Sequence, residues 1–319
     1  MSKPELHIPQ PVTLPPAYED ELRNALLACR GYGLRGTKQT NLTVFWPVVT
    51  PRYGEGRELM VVGRAVNRWL KKSLDLAAVD YESQAKKIYT EARSKFRESL
   101  EWVTRKRLKN GYCPGRSQFW SVTRRVAGQL LGDTWYDQIA WSNLYKIAPS
   151  NGGNPGSVLR RGQRPAAQWL LSTELRSFLP RRVLFLTGQR WAEPFIDPEF
   201  RAIELTSAND GLLAGYLDQA AIVVAPHPQG HKLDRLAAAV TDAFNSLTLG
   251  AATASKTQAV GETGAHRHEA VMSLDPTTRG CERVGNHLSQ VTIGEEDPGH
   301  ADPSGCGFVQ DGLLDLLRT

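Results

Sequence analysis

The chain has 319 residues, of which 41% are apolar and 23% are charged, and its formal net charge is +6. This length is enough for one α/β domain with appendages, and the apolar content excludes a chain that is disordered throughout. No apolar run reaches the roughly 18 residues that a membrane span needs, and the first residues lack an apolar signal stretch. We therefore expect a soluble cytoplasmic protein that does not bind a membrane.

Positive charge is concentrated in the first 250 residues. Residues 251–319 hold 5 Lys and Arg against 10 Asp and Glu, so the preceding part of the chain carries a net +11. Such a basic body suits a polyanion, although many basic proteins bind no nucleic acid. DNA, either duplex or single-stranded, is the partner we expect, and no protein partner can be inferred from the sequence.

The potential metal ligands of the sequence are scattered. The cysteines form no CxxC pair and stand at Cys29, Cys113, Cys281 and Cys306. The HRH segment around His266 and His268 has no matching set of ligands near it, whereas a structural zinc site needs four ligands. We therefore expect free thiols, no metal and no cofactor.

The first elements in chain order are an extension and a strand. Residues 1–57 are predicted to form an N-terminal extension, with a Pro-rich start, a helix over Tyr18–Cys29 and the turn-rich segment PRYGEGR. The main domain is predicted to span residues 58–250, and it begins with a buried strand over Glu58–Gly63. Residues 71–116 are predicted to be a basic helical insertion, because apolar residues recur there at helical spacing among many Lys, Arg and Glu.

Three further apolar runs of strand length follow, and each stops at a polar residue or at a loop: Gln138–Asn143, Arg182–Gly188 and Ala221–Ala225. Helical periodicity precedes or follows them at residues 119–131, 166–178 and 234–247. Strands that alternate with helices imply a parallel sheet covered on both faces. The predicted fold is therefore α/β, a three-layer α/β/α sandwich around a central four-stranded parallel sheet.

The last segment, residues 251–319, differs in composition from the rest. It is acidic and rich in Gly, Ser, Thr and Asp, and only DGLLDLLRT at its end resembles a short helix. We predict that this segment is a flexible tail, and that its removal leaves the activity of the main domain intact.

Polar side chains collect where the predicted strands end: Asn67 and Trp69, Asn143 and Lys146, Thr187, and His227 and Gln229. Open α/β sheets bind ligands along the carboxyl ends of their strands. Each residue alone has a structural alternative, such as a strand-end cap for Asn143 or a loop histidine fixed by two prolines for His227. Their joint placement predicts a binding site.

Four segments near these strand ends carry a resemblance to a known family: SQFWSVTRRVAGQLL, IAWSNLYKIAPSNGGNPGS, PRRVLFLTGQRWAEPF and VVAPHPQG. Their order and spacing resemble motifs of the uracil-DNA glycosylase superfamily over residues 59 to about 245. The closest resemblance is to a branch whose members often carry an iron–sulfur cluster. The cysteine pattern of that branch is missing here, so we expect no cluster.

The resemblance implies a role for each strand-end residue. His227 would donate a hydrogen bond to the pyrimidine O2 as the base leaves as an anion, and Asn143 would present its amide to the Watson–Crick edge. Phe119 would stack on the extruded base. Contact with DNA is assigned to Arg64, Lys146 and Gln229, although Lys146 has a structural role as its alternative.

The first family motif departs from its usual pattern in this chain. The position that places the attacking water in many members is occupied by Ala65, two residues after Gly63. Asn67 follows two residues later and is the candidate for holding the water. Gly63 would give backbone access beneath the base, and Trp69 would shape the pocket wall.

The predicted function is that of a monofunctional DNA glycosylase, which hydrolyses an N-glycosidic bond and leaves an abasic site. No lysine is placed as a Schiff-base nucleophile. The target stays open between uracil and a modified cytosine, including a hypermodified phage base that is removed in antiviral defence. Two alternatives are a catalytically silent DNA-binding module of the same fold and a hydrolase of free nucleosides or nucleotides.

Overall fold

The computed structural model describes residues 12–33, 41–66, 70, 73–108, 113–196, 206–207, 211–217 and 219–261. Side chains are described for all of these except residues 31–33, 206–207 and 248–261. The described residues up to Ala252 belong to one compact unit, which holds every side chain discussed below. None of the helices in these ranges is both long enough and apolar enough to cross a bilayer.

The described part of the chain forms ten β-strands and seven α-helices. The strands are β1 (Asn41–Val44), β2 (Val48–Val49), β3 (Leu59–Ala65), β4 (Leu74–Asp75), β5 (Ile139–Tyr145), β6 (Ile147–Pro149), β7 (Arg182–Phe185), β8 (Thr206–Ser207), β9 (Leu213–Leu217) and β10 (Ala220–Val224). The helices are α1 (Pro16–Gly33), α2 (Tyr53–Gly56), α3 (Tyr81–Arg93), α4 (Gln118–Leu131), α5 (Ser157–Phe178), α6 (Gln189–Ile196) and α7 (Leu233–Gly261). Helices separate β3, β5, β7 and β10 along the chain, and the predicted α/β class is confirmed.

The main sheet has seven strands in the order β2–β5–β3–β7–β10–β9–β8. Its central strands β5, β3, β7 and β10 are parallel, and their register places Gly63 opposite Asn143 and Val62 opposite Phe185. Antiparallel strands close both edges, with β2 beside β5, and β9 and then β8 beside β10. The four predicted strands are confirmed, but the sheet is larger and mixed, with the parallel block at its centre.

Side chains of the central strands alternate between two apolar cores. Val61, Leu184 and Val223 lie in one core, and their neighbours Val62, Val183 and Val224 lie in the other. Successive side chains of a strand point to opposite faces, so each core covers one face of the sheet. The first core includes side chains of α4 and α7, and the second includes side chains of α5 and α6. Helices therefore pack on both faces.

The residues predicted as an N-terminal extension are part of this packing. Helix α1 lies against α5, and its Leu22 and Leu26 are buried in the first core. Strand β2 is hydrogen-bonded to β5 along one edge of the sheet. The boundary predicted between residues 57 and 58 therefore does not separate an independent segment, because α1 needs this apolar contact and β5 needs an edge partner.

The basic segment 71–116 is built into the fold in the same way. It contains β4, which pairs with β1 in a small sheet of order β4–β1–β6. It also contains α3, whose Tyr81, Ala85 and Ile88 are buried in the first core, whereas Lys86 and Lys87 are exposed. The predicted amphipathic helix is confirmed, but the segment is an integral layer of the domain and not a separate insertion.

The predicted boundary of the tail falls inside a helix. Helix α7 continues from Leu233 to Gly261, past residue 250. Residues 251–261 include several alanines and no proline, a composition that favours continuation of a helix. The compact unit that holds the main domain nevertheless ends at Ala252, close to the predicted boundary. Residues 262–319 lie outside the described ranges, and the tail prediction for them stays a prediction.

Candidate functional site

The carboxyl ends of the four central strands bring most of the predicted site residues to one edge of the sheet. Gly63 and Arg64 lie near the end of strand β3, and Asn143 lies opposite Gly63 on β5. The segment after β7 carries Gly188, and the segment after β10 carries His227. The backbone N–H of Gly188 donates to the carbonyl of Ala225 at 2.9 Å, which joins these last two segments.

Gly63 forms a close contact with two of the predicted base-binding residues. A methyl group added at Gly63 would overlap Oδ1 of Asn143 and would lie 3.3 Å from Cε2 of Phe119. The amide and the ring edge therefore both lie against the Gly63 backbone. Glycine is required here by close approach, which is one of the common reasons for a glycine within a strand.

Phe119 is placed by the start of helix α4. The Ser117 side chain caps this helix by accepting a hydrogen bond from the Trp120 N–H at 3.3 Å. The Phe119 ring packs edge-on against Trp120, with 4.9 Å between centroids, and lies 6.4 Å from Trp141. Its side chain remains partly exposed, whereas Trp120 is buried. One aromatic face at the sheet edge is thus held in place by two larger rings.

Asn143 has an unsatisfied donor. Its side chain is 2% exposed, and Nδ2 has no hydrogen-bond partner among the described residues. A buried polar group without a partner costs about 1–3 kcal/mol, so such a group in a native structure needs an explanation. A ligand that accepts a hydrogen bond from Nδ2 would supply one.

His227 is a neutral imidazole with a defined tautomer. The backbone N–H of Gln229 donates to its Nδ1 at 3.4 Å, which leaves Nε2 as the protonated, donating nitrogen. Burial, followed by the nearby positive charges of Arg64 and His231, lowers the pKa of His227 to about 4. At neutral pH the ring therefore donates one hydrogen bond and carries no charge.

This pKa gives the first testable prediction. We expect an NMR titration of the His227 ring to have its midpoint at about 4. Arg64→Gln should raise the midpoint because it removes a neighbouring positive charge, and His231→Gln should raise it less, since His231 is the smaller contribution. A midpoint at or above the ordinary value of 6.5 would show that His227 is neither buried nor close to Arg64.

The same shift determines how His227 contributes to stability. Between pH 6.5 and about 4, the unfolded chain binds a proton at His227 that the folded chain does not bind. The stabilising contribution of the neutral ring is therefore fully present above pH 6.5 and is lost as the pH falls towards 4. Denaturation of the wild type and His227→Gln over this range should show the wild type losing more stability on acidification.

Arg64 lies beside His227. Its Nε donates to the Thr187 carbonyl at 2.7 Å, which fixes the guanidinium over the turn after β7. A methyl group at Gly188 would lie 3.6 Å from Nη2 of Arg64 and 3.7 Å from the backbone nitrogen of His227. Gly188 also has a φ of +79°, a conformation that side chains disfavour. This turn therefore brings a cation close to the neutral imidazole.

Lys146 does not belong to the DNA-facing surface, contrary to the prediction. Its side chain is 1% exposed, and Nζ lies 2.7 Å from Oε1 of the fully buried Glu174. Nζ also donates to Oγ of Ser142 and to the backbone carbonyl of Asn143, each at 2.6 Å. Tyr18 and Ser142 donate to the same Glu174 carboxylate. An enclosed ammonium cannot reach a phosphate, so Lys146 holds the strand that carries Asn143.

Of the remaining predicted site residues, one is placed at the site and two lie outside the described part of the chain. Gln229 is exposed next to His227, where it is accessible to a ligand. Asn67 and Trp69 lie outside the described residues, so their roles stay predictions. Two residues near Arg64 were not predicted at all: Arg160 and Trp191. Neither stands at a strand end, and both lie on helices, where an arginine and a tryptophan give no distinctive signal.

The site belongs to an α/β protein with a polar cluster at the carboxyl edge of its parallel strands. Within the described ranges, no three His, Cys, Asp or Glu side chains gather as metal ligands would. No protein-family model matches the chain, and no characterised protein sequence is significantly similar to it. Its function is therefore inferred from the residues of the site.

Proposed function

We propose that the protein is a monofunctional DNA glycosylase of the uracil-DNA glycosylase superfamily type. It extrudes a pyrimidine nucleotide and hydrolyses the N-glycosidic bond, which leaves an abasic site. The observation that carries the proposal is the buried amide of Asn143, whose unpaired donor lies in the same strand-end cluster as a neutral His227 and a partly exposed Phe119.

Base recognition is the role of Asn143. An amide offers both donors and an acceptor, so it can pair with the Watson–Crick edge of a pyrimidine. Its Nδ2 has no partner among the described residues, and a base carbonyl would satisfy it. Because the Asn143 side chain is almost fully buried, the base would have to be brought to it by extrusion of the nucleotide, which costs a few kcal/mol.

Stacking and close approach offset part of that cost. The partly exposed Phe119 ring offers a face for the base, and stacking of this kind contributes roughly 1–3 kcal/mol. Gly63 has no side chain, so the Asn143 amide and the Phe119 ring edge both lie against its backbone. The group that pairs with the base and the ring that stacks on it are therefore held next to each other.

Bond cleavage is the role of His227. When the bond between C1′ and the base nitrogen breaks, its electron pair stays on the base and positive charge develops on the sugar. The Nε2–H of neutral His227 would donate a hydrogen bond to the anionic O2, and the positive charge of Arg64 nearby favours the same anion. A water then adds its oxygen to C1′ and releases a proton, which neutralises the departing base. Asn67 is our candidate for orienting this water.

The target is a pyrimidine that fits this cluster, either uracil or a modified cytosine. A hypermodified phage cytosine would place the enzyme in antiviral defence, and uracil would place it in DNA repair. The basic body of the chain, with a net +11 over residues 1–250, supports DNA as the substrate.

The proposal is tested by excision from labelled oligonucleotides. Duplex and single-stranded DNA with uracil, mismatched thymine or modified cytosines, together with naturally modified phage DNA, is treated with the protein and then with alkali. We expect strand breaks at the position of one of these bases. Asn143→Ala should reduce the breaks at least about tenfold, because it removes the amide that pairs with the base. The circular dichroism of Asn143→Ala should match the wild type.

Other outcomes of this experiment identify other functions. DNA binding without breaks on any substrate would contradict the proposal and indicate a catalytically silent DNA-binding module. Hydrolysis of free nucleosides or nucleotides, with no fall in rate on added salt, would indicate a small-molecule hydrolase. A glycosylase should lose activity steeply with salt, because its phosphate contacts release counterions.

A further inference from the structure

Two arginines approach the same tryptophan ring next to the candidate site. Cζ of Arg64 lies 5.0 Å from the centroid of the Trp191 ring, and Cζ of Arg160 lies 4.7 Å from it. Both distances are within the range of a cation–π interaction. The ring therefore holds two positive charges close together, which repel each other when no anion is present.

Among the described residues, neither arginine has a carboxylate partner. None of the ion pairs formed between described residues includes Arg64 or Arg160. Nε of Arg160 is buried and has no hydrogen-bond partner among these residues. Burial lowers the pKa of Arg64, and the charge of Arg160 lowers it further. Paired cations without a counterion are costly, and a bound anion would relieve this cost.

The ring that holds these arginines is itself fixed to the site. Trp191 packs edge-on against Tyr145, with 5.8 Å between centroids, and Tyr145 is 3% exposed. Tyr145 stands two residues after Asn143 on β5, and Arg64 follows Gly63 on β3. Nε of Arg64 donates to the Thr187 carbonyl, and its Nη2 lies on the side of Gly188 and His227. The cationic pair is therefore adjacent to the proposed base-binding cluster.

Helix α5 adds positive potential at the same place. Arg160 lies in its first turn, this turn contains no acidic residue, and the residue before the helix, Gly156, provides no side-chain cap. The first backbone N–H groups of a helix carry a partial positive charge and remain available to an anion. The helix of 22 residues thus adds to the attraction that the two guanidinium groups exert.

We propose that Arg64, Arg160 and Trp191 form a binding site for a DNA phosphodiester that flanks the extruded nucleotide. This inference rests on the proposed function, because it takes DNA as the ligand. Arginine suits the role, since its planar fork donates two parallel hydrogen bonds to phosphate oxygens while its flat face stacks on an aromatic ring. Holding the flanking phosphate would fix the sugar whose bond to the base is broken.

The test is the salt dependence of DNA binding by the full chain. Fluorescence anisotropy with a labelled duplex is measured between 50 and roughly 300 mM salt for the wild type, Arg160→Gln and Arg64→Gln. We expect each variant to bind roughly tenfold more weakly at low salt. We also expect the slope of log K against log salt to be shallower by about 0.9 for each arginine removed. Arg160→Lys keeps the charge and should retain the slope while losing part of the affinity, because lysine lacks the fork.

Arg181→Gln is the matched control. It removes the same charge from the segment before β7, at the opposite edge of the sheet, where Arg181 is 70% exposed and pairs with Glu58. We expect this variant to bind DNA as the wild type does. If Arg160→Gln and Arg181→Gln change the affinity and the slope equally, the phosphate site is overturned, and absence of DNA binding by the wild type overturns it as well.

Failure of the phosphate site and failure of the proposed function give different results. Excision of a base together with an unchanged salt slope in Arg160→Gln would remove the phosphate site and leave the glycosylase. Loss of slope in Arg160→Gln without excision of any base would leave the phosphate site and remove the glycosylase. Circular dichroism melts of all variants exclude unfolding as the cause of either result.

Discussion

Replacing Lys146 with methionine is expected to lower the free energy of unfolding by about 3–5 kcal/mol. The substitution removes the cation that faces Glu174, a side chain with no exposed surface, and leaves a carboxylate buried without its counterion. Two hydroxyl groups, those of Tyr18 and Ser142, still donate to that carboxylate but do not neutralise it. Urea denaturation of the wild type and the variant measures the difference. The comparison requires that the free energy of unfolding fall with urea concentration at the same slope in both proteins.

A second substitution separates the charge from the packing. In the double variant Lys146→Met with Glu174→Gln both charges are removed, and the glutamine amide can still bond to Tyr18 and Ser142. We expect this variant to recover much of the lost stability, because a buried ion pair replaced as a whole is often neutral in its effect. A loss under 1 kcal/mol in Lys146→Met, or no recovery in the double variant, would contradict the buried pair.

Replacing His227 with alanine is expected to lower the single-turnover excision rate by about 10²–10³-fold. The expected loss is large because a single donor at the developing anion acts mainly in the transition state. Since His227 is neutral, its removal changes no charge at neutral pH, and DNA affinity should stay within about threefold of the wild type. The rate is measured under enzyme excess on the base identified by the substrate panel, and affinity is measured by anisotropy.

His231→Ala serves as the control for this substitution. His231 is exposed on the same loop and contributes only a minor part of the pKa shift of His227. We expect its excision rate to equal that of the wild type. Equal rates for His227→Ala and the wild type would show that the hydrogen bond to the leaving base comes from another group.

The central strands could be predicted because each is an unbroken apolar run. Strand β10, for example, consists of Ala, Ile and Val residues, is buried on both faces and ends just before Pro226, so its pattern is unambiguous. The strand ends then placed Asn143 and His227 at the same edge through the geometry of a parallel sheet. That part of the site follows from short-range patterns and one general rule.

The edge strands and the outer layer could not be predicted in this way. Strand β2 is only two residues long, and its pairing with β5 depends on a partner about 90 residues later in the chain. The burial of Lys146 depends on Glu174, which lies on a helix with an ordinary amphipathic pattern. Arg160 and Trp191 meet only because α5 and α6 pack side by side. Such contacts are tertiary, and no local pattern encodes them.

The bond between Tyr18 and Glu174 also has a consequence for synthesis of the chain. The two residues are 156 positions apart, which at roughly 5–20 residues per second corresponds to about 8–30 s of translation. During this interval α1 has left the ribosome, but α5, the helix that covers it, has not yet been made. The packing of α1 on α5 can therefore form only after more than half of the chain has been made, whereas its contact with α3 can form earlier.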